Sequence, residues 1–313
     1  MKYLFCILTI FFIFFYSCKD NKNTTTNSFY QVSFDLEDYN YINVGDNQKM
    51  AYLDLGDKNG ETILLIHGEP NYSYVYRDIA PKLAENGYRV IIPDLIGFGY
   101  SSKPEYENII TYSNHTKWLS EFITKLSLKN INLFAHDWGA MLSLRIIAKQ
   151  PQRFNKVAIS YGYLFEGTEI IPENFEGFKS YAKNDSTFLA GNIMNWGSNK
   201  RLSDSVIQKY NDPFKTESDM LAVRKFPSLI PTSEIDKEAI INQNLNIKLA
   251  NFEKPFITIW GNHKDPMWIG KDSLLQVTIK GAKNQKHYTL ESNHFIQEDQ
   301  PEELTTILMA FFN

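Results

Sequence analysis

The chain has 313 residues, a net charge of -4, and a composition that is 43% hydrophobic and 22% charged. That is ordinary globular composition, long enough for one large α/β domain with an insertion. Nothing in it is strongly basic, so nucleic-acid binding has no electrostatic support.

The first residues stand apart from the rest. Lys2 precedes a continuous apolar run, YLFCILTIFFIFFY, which ends at SCKD and passes into polar NKNTTTNS. At roughly 14 residues the run falls short of the ~20 that span a bilayer, and it fits the core of a signal peptide. FYSC resembles a bacterial lipoprotein box. That resemblance implies a signal peptide over residues 1–17, lipidation at Cys18, and a polar tether over residues 18–28. The product would be an exported bacterial lipoprotein, anchored to a membrane through Cys18 and facing the periplasm or the cell surface. Ordinary secretion and a plain hydrophobic anchor are the alternatives. Of the two cysteines, Cys6 lies inside the apolar run and Cys18 is the lipid site. The mature domain would then hold no thiol for disulfide or nucleophilic chemistry.

From about Phe29 onward, strand-like and helix-like segments alternate, as in a doubly wound, mostly parallel sheet. TILLIHG (62–68) is a buried strand, followed by a helical RDIAPKLAENG (77–87). YRVIIPD (88–94) is the next strand and ends in the Gly-rich turn LIGFGYSS. NHTKWLSEFITKLSL (114–128) has helical spacing, with Trp118, Phe122 and Leu126 on one side. INLF (131–134) is a strand, AMLSLRIIAKQ a helix stopped by Pro151, and KVAISYG (156–162) a further strand. The alternation then weakens. Residues 163–246 read as an inserted helical cap, dividing a core of 29–162 and 247–313. The strand pattern resumes at PFITIWG (255–261) and KHYTLES (286–292), and PEELTTILMAFF closes the chain as a helix.

The chemistry concentrates in loops that follow strands. In an open α/β sheet, ligands bind at the carboxyl ends of the strands, so these loops should converge. The most informative is INLFAHDWGAM (131–141), a strand that turns tightly between small residues, Ala135 and Gly139, into a helix. α/β-Hydrolases present a serine nucleophile in such a setting, but here the tip carries Asp137. An aspartate has an ordinary pKa of about 3.9 and needs no base to ionise it. Attack by a carboxylate on an ester would give an uphill mixed anhydride. On a saturated carbon bearing a leaving group it gives an ordinary alkyl ester, which water then cleaves. Asp137 therefore points to haloalkane or epoxide carbons. Its plain alternative is a helix N-cap.

The second step needs a base and an oxyanion hole. Among six histidines, His294 in ESNHFIQED lies between the last strand and the last helix, where a triad histidine follows nucleophile and acid. His115, His136 and His287 read as structural. Asp265, the carboxylate of WGNHKDPMW, would orient His294 and stabilise its cation; alone, it reads as a turn residue before proline. In HGEPNYSYVYR (67–77) the turn at His67-Gly68 lets the backbone N–H of Glu69 face the site. Together with the N–H of Trp138 it would form the oxyanion hole.

HGEPNYSYVYR, PDLIGFGYSSKP, AHDWGA, YNDPF with FPSLIP, DP and NHFIQED follow one another in an order that resembles the haloalkane dehalogenases, over nearly everything from about residue 45 onward. The subgroup resembled is the one whose acid follows the later strand. The resemblance implies an α/β-hydrolase fold with a helical cap, no metal and no organic cofactor. It implies a small apolar halogenated substrate, with water and a halide ion as the other participants. Asp137 would be nucleophile, His294 base and Asp265 its partner, and the Trp138 indole would donate to the halide. A second halide-binding Trp comes from the cap in this subgroup. Here FKSYAKNDSTF puts Phe178 at that place, with Trp196 of NWGS or a cap tyrosine as substitutes.

Two other functions fit parts of the pattern. Epoxide hydrolases share the triad but need cap tyrosines, and this cap has Tyr163, Tyr181 and Tyr210. A lipid-anchored binding protein without turnover would keep the fold alone. Globomycin treatment, or the variant Cys18→Ser, is expected to leave the full-length precursor unprocessed on a gel. Unchanged processing would contradict the lipoprotein reading.

Overall fold

A computed structural model of the protein describes residues 32–263 and 265–313; the expected signal peptide, Cys18 and the whole of the expected tether lie outside the described residues. Eight strands form the sheet: β1 (Asn40–Gly45), β2 (Gln48–Gly56), β3 (Thr62–Ile66), β4 (Arg89–Pro93), β5 (Ile131–His136), β6 (Phe154–Ser160), β7 (Phe256–Gly261) and β8 (Tyr288–Leu290). Their spatial order is β1-β2-β4-β3-β5-β6-β7-β8. β1 and β2 are an antiparallel hairpin at one edge, turned by Asp46 and Asn47 at positive φ, and β2 pairs antiparallel with β4. All pairings from β4 to β8 are parallel. β3 through β6 are almost wholly buried, as strands covered on both faces must be.

Eleven α-helices are seen among the described residues: α1 (Ala80–Glu85), α2 (Tyr112–Lys125), α3 (Trp138–Lys149), α4 (Glu173–Asn184), α5 (Ala190–Trp196), α6 (Asp204–Asn211), α7 (Leu221–Lys225), α8 (Lys237–Leu249), α9 (Lys271–Thr278), α10 (Ile296–Asp299) and α11 (Pro301–Phe312). The chain steps from β3 outward to β4, then back past β3 to β5. Because parallel crossovers are right-handed, that reversal puts α1 and α2 on opposite faces of the sheet. It also opens a crevice beyond the carboxyl ends of β3 and β5, the position where such sheets bind ligands.

The expected strands and core helices are present at their places, with ends shifted by a few residues. α2 begins at Tyr112, where the Thr111 side chain accepts the N–H of Asn114, and buries Trp118 and Phe122. Leu126, expected on the same face, is the C-cap and only half-buried. α3 ends at Lys149, and Pro151 starts the short turn that leads into β6.

Between β6 and β7 the chain forms α4 to α8. The expected boundary at residue 246 falls inside α8, and α8 packs against α3 of the core. The reason is a buried cation. Arg145 on α3 is 1% exposed, and α8 satisfies its guanidinium: Nε donates to Asn242 at 2.7 Å and Nη1 to Glu238 at 2.6 Å. Asn242 in turn donates to the carbonyl of Phe165 at 2.7 Å. A charge left alone in that position would be costly, so α8 is held to the core.

The rest of the insertion is fastened to the short helix α10. Arg77 makes two parallel bonds to Glu298, at 2.6 and 2.7 Å, and the Tyr210 hydroxyl of α6 donates to the same carboxylate. Asp299 accepts the backbone N–H groups of Asn199 and Lys200 as well as that of Asn293. Two adjacent carboxylates thereby join the insertion to the loop that carries His294. Among the described residues no helix is long and apolar enough to cross a membrane.

Candidate active site

Asp137 sits between β5 and α3 at φ 53° and ψ −125°, a strained conformation for a residue with a side chain. Close packing holds it there. A Cβ on Gly139 would lie 2.2 Å from the His67 carbonyl oxygen, and one on Gly68 would lie 2.5 Å from the Asp137 carboxyl. Only glycine fits at either place. Asp137 occupies the N-cap position of α3, yet its side chain makes no capping bond. Instead Oδ1 accepts the backbone N–H of Glu69 at 2.8 Å, across the crevice from the end of β3. The plain N-cap reading is thereby displaced.

His67 shapes the β3 turn. Its Nε2 accepts the N–H of Leu95 at 2.8 Å, so the proton is on Nδ1, which donates to the Gly68 carbonyl at 2.8 Å. This bond turns the following peptide so that the Glu69 N–H points at Asp137.

His294, between β8 and α10, places Nε2 3.8 Å from Asp137 Oδ2 and Nδ1 3.6 Å from Asp265 Oδ2. The imidazole is aligned between two carboxylates without a hydrogen bond to either. Asp265 also accepts the N–H of Met267 at 3.0 Å, so it is a turn residue and the partner of His294 at once. The other histidines stand elsewhere. His115 is buried against Trp118 and Phe226, and His287 accepts the N–H of Thr258 within β7 and bonds to the carbonyl of Ala282. His136 makes a 2.9 Å bond to the His294 carbonyl and so supports the loop. His263 lies exposed at the cavity rim.

The carboxylates experience opposite fields. Burial raises the pKa of Asp137, against the counteracting effects of His294 and of the N–H groups of Glu69 and Trp138. Burial also opposes ionisation of Asp265, but His294 and the Met267 N–H outweigh it and hold that carboxyl below its ordinary value.

A cavity of about 360 Å³ opens beside Asp137, walled largely by Phe175, Phe178, Ile193, Pro227, Ile230 and Phe295. Trp138 and His294 reach it from the core, and Trp196 reaches it from the end of α5. Phe178 is therefore in the place expected of it. The three cap tyrosines are not. The Tyr210 hydroxyl is bound to Glu298, that of Tyr181 donates to the Thr187 carbonyl at 3.1 Å, and Tyr163 packs on Phe165 and Lys271. No tyrosine lines the cavity among the described residues, which removes the feature that favoured an epoxide hydrolase.

One carboxyl escaped the sequence reading, which used only the backbone of Glu69. Its side chain lines the cavity, is 7% exposed, and leaves Oε1 without a partner. Burial, reinforced by the charge of Asp137, pushes its pKa well above the carboxylate range. The signal was its place, the first residue beyond a His-Gly turn at a strand end.

Comparison with known proteins agrees with this geometry. The α/β-hydrolase fold family matches residues 61–301. A haloalkane dehalogenase of Psychrobacter cryohalolentis is 37% identical, over 89% of this chain and 94% of that protein. Another, from Mycolicibacterium paratuberculosis, is 36% identical over 88% of this chain and 94% of its own. The solved structure of the tetrameric haloalkane dehalogenase DpaA from Paraglaciecola agarilytica superposes with a TM-score of 0.80 at 28% identity, covering 87% of this chain and 92% of that one. The chain is a hydrolase of the α/β class and belongs to the haloalkane dehalogenase family.

The raised pKa of Asp137 makes a stability prediction. The native state favours its protonated form, so the contribution to stability is full below the unfolded value, near about 3.9, and is lost as pH rises through the folded value. Asp265 acts in the opposite sense. Asp137→Asn keeps the shape and removes the buried charge. It is expected to raise Tm by a few degrees at pH 7, with the gain shrinking toward about pH 4. An unchanged or lower Tm at pH 7 would contradict this.

Proposed function

We propose that this enzyme hydrolyses carbon–halogen bonds of small haloalkanes through an ester on Asp137. The observation that carries the reading is the division of labour between the two oxygens of that carboxylate. Oδ1 is held by the Glu69 N–H at 2.8 Å, whereas Oδ2 faces the cavity and His294. Oδ2 attacks the halogen-bearing carbon, the carbon–halogen bond breaks, and halide departs with its electron pair toward the Trp138 indole. Burial, which raises the pKa of Asp137, also strips water from the nucleophile and makes it more reactive.

In the second half, a water attacks the ester carbon of Asp137 and passes its proton to His294 Nε2. Negative charge develops on Oδ1, where the N–H groups of Glu69 and Trp138 already point. Asp265, held ionised, stabilises the imidazolium. Collapse of the intermediate expels the alcohol, which takes the proton from His294 and leaves Asp137 as the acid; loss of that second water proton to solvent, alongside the halide, restores the carboxylate. Neither an organic cofactor nor a metal has a role in these steps.

The family resemblance, the relatives' names and the apolar cavity all support haloalkanes. A silent binding protein gains no support from a nucleophile, base and acid that meet at one cavity. We also propose a lipid anchor on Cys18, supported by the apolar run and the FYSC stretch, that tethers this hydrolase to a membrane.

The test is a trapped intermediate. His294→Phe incubated with 1-bromobutane or 1,2-dibromoethane is expected to retain one alkyl group on Asp137, located by mass spectrometry of the denatured, digested protein. An adduct formed only with epoxides would transfer the assignment to epoxide hydrolysis. No adduct with either class would overturn turnover through Asp137.

A further inference from the structure

A halide leaving into an apolar cavity needs hydrogen-bond donors, because an anion taken out of water without them is strongly disfavoured. Trp138 offers one indole N–H. Phe178, at the place of the second donor in related sequences, presents only carbon to the cavity. The donor must come from another side chain.

The chain has five tryptophans, and their N–H groups are in different states. Trp118 donates to Asp46 at 2.9 Å. The N–H of Trp260 is sealed in the core without a partner. Trp196 lines the cavity but is 61% exposed, so water competes for its N–H. Trp138 and Trp268 differ from all of these. They are 2% and 5% exposed, and both line the cavity. Neither indole N–H bonds to a described residue. A buried indole N–H without a described partner still needs one, and an anion in the cavity that both rings wall would supply it.

We propose that Trp268 is the second halide donor, its indole N–H opening onto the same cavity as that of Trp138 and taking the role that Phe178 cannot fill. The inference rests on the dehalogenase reading above. It also changes where the halide site is built. Trp268 lies in the loop between β7 and α9, three residues after Asp265, and its backbone N–H donates to the Asp265 carbonyl at 3.0 Å. Its ring packs against Phe165 and Tyr161, with centroids 5.6 and 6.1 Å away, and lies 6.3 Å from His294. Those contacts fix the indole before any anion arrives, which spares the cost of ordering it. Both donors then come from core loops, steadied by the insertion residues Phe165 against Trp268 and Phe226 against Trp138.

Bromide is the probe. Titration calorimetry with sodium bromide measures its affinity for the purified protein, and bromide inhibition of 1,2-dibromoethane hydrolysis measures it during turnover. Trp268→Phe is expected to weaken bromide binding about 10-fold or more, the effect of removing a hydrogen bond to a charge. A ring that merely shapes the cavity would change KM and leave bromide affinity alone. Benzothienylalanine at position 268 keeps the ring and deletes only the N–H, so it tests the same point if Trp268→Phe folds poorly; a similar loss is expected. Undiminished bromide affinity in both variants would overturn the proposal while leaving the dehalogenase reading intact. So would a larger loss from Trp196→Phe, which would return the donor to the cap. If the unaltered protein releases no bromide from 1,2-dibromoethane, the dehalogenase reading itself fails and the proposal with it.

Discussion

The bond from the Glu69 N–H to Asp137 Oδ1, 2.8 Å long, is the constraint around which the site is organised. It spans two adjacent parallel strands at the point where the chain reverses its direction across the sheet. To make it, Asp137 must hold φ at 53°, and the two turns must approach so closely that Gly68 and Gly139 tolerate no side chain. The strain is sustained because strands buried on both faces leave the turn no alternative. In return, one carboxylate oxygen is fixed against the Glu69 N–H and the other is left beside an apolar cavity. An acyl-transfer enzyme would use the same hole for the substrate's oxyanion. Here the Glu69 N–H meets the enzyme's own carboxyl oxygen, the arrangement that the proposed ester hydrolysis on Asp137 calls for.

His294 is positioned by a second set of constraints that also hold the insertion. His294 precedes α10, and the adjacent Glu298 and Asp299 bind Arg77, Tyr210 and the backbone of residues 199 and 200. The cap and the His294 loop are thus tied through two neighbouring carboxylates. Glu298 is nearly buried, so its pairing with Arg77 and Tyr210 is obligatory rather than ornamental. Cap packing and His294 geometry are coupled for that reason.

Much of this was legible in the sequence, and the reason is topological. HGEP, HDWG, DP and NH each follow an apolar strand, and a parallel sheet brings the ends of its strands to one side. Motif order alone therefore assembled Asp137, Asp265 and His294. What escaped depended on long-range packing. The role of α8 rests on Arg145, whose partners Glu238 and Asn242 are remote in sequence. The hydroxyl of Tyr210 faces a carboxylate rather than the cavity because Glu298 lies beneath it. The carboxyl of Glu69 and the indole of Trp268 could not be read as cavity groups from spacing, since only the packing of the fold buries both against the cavity.

Isotope placement in a single turnover reaches the central claim most directly. With enzyme in excess over 1-bromobutane in ¹⁸O-water, attack by Asp137 predicts that the first alcohol carries oxygen from the protein and that the Asp137 peptide gains the heavy oxygen. Heavy oxygen in the first-turnover alcohol, with an unlabelled Asp137 peptide, would mean direct attack by water and would contradict the account.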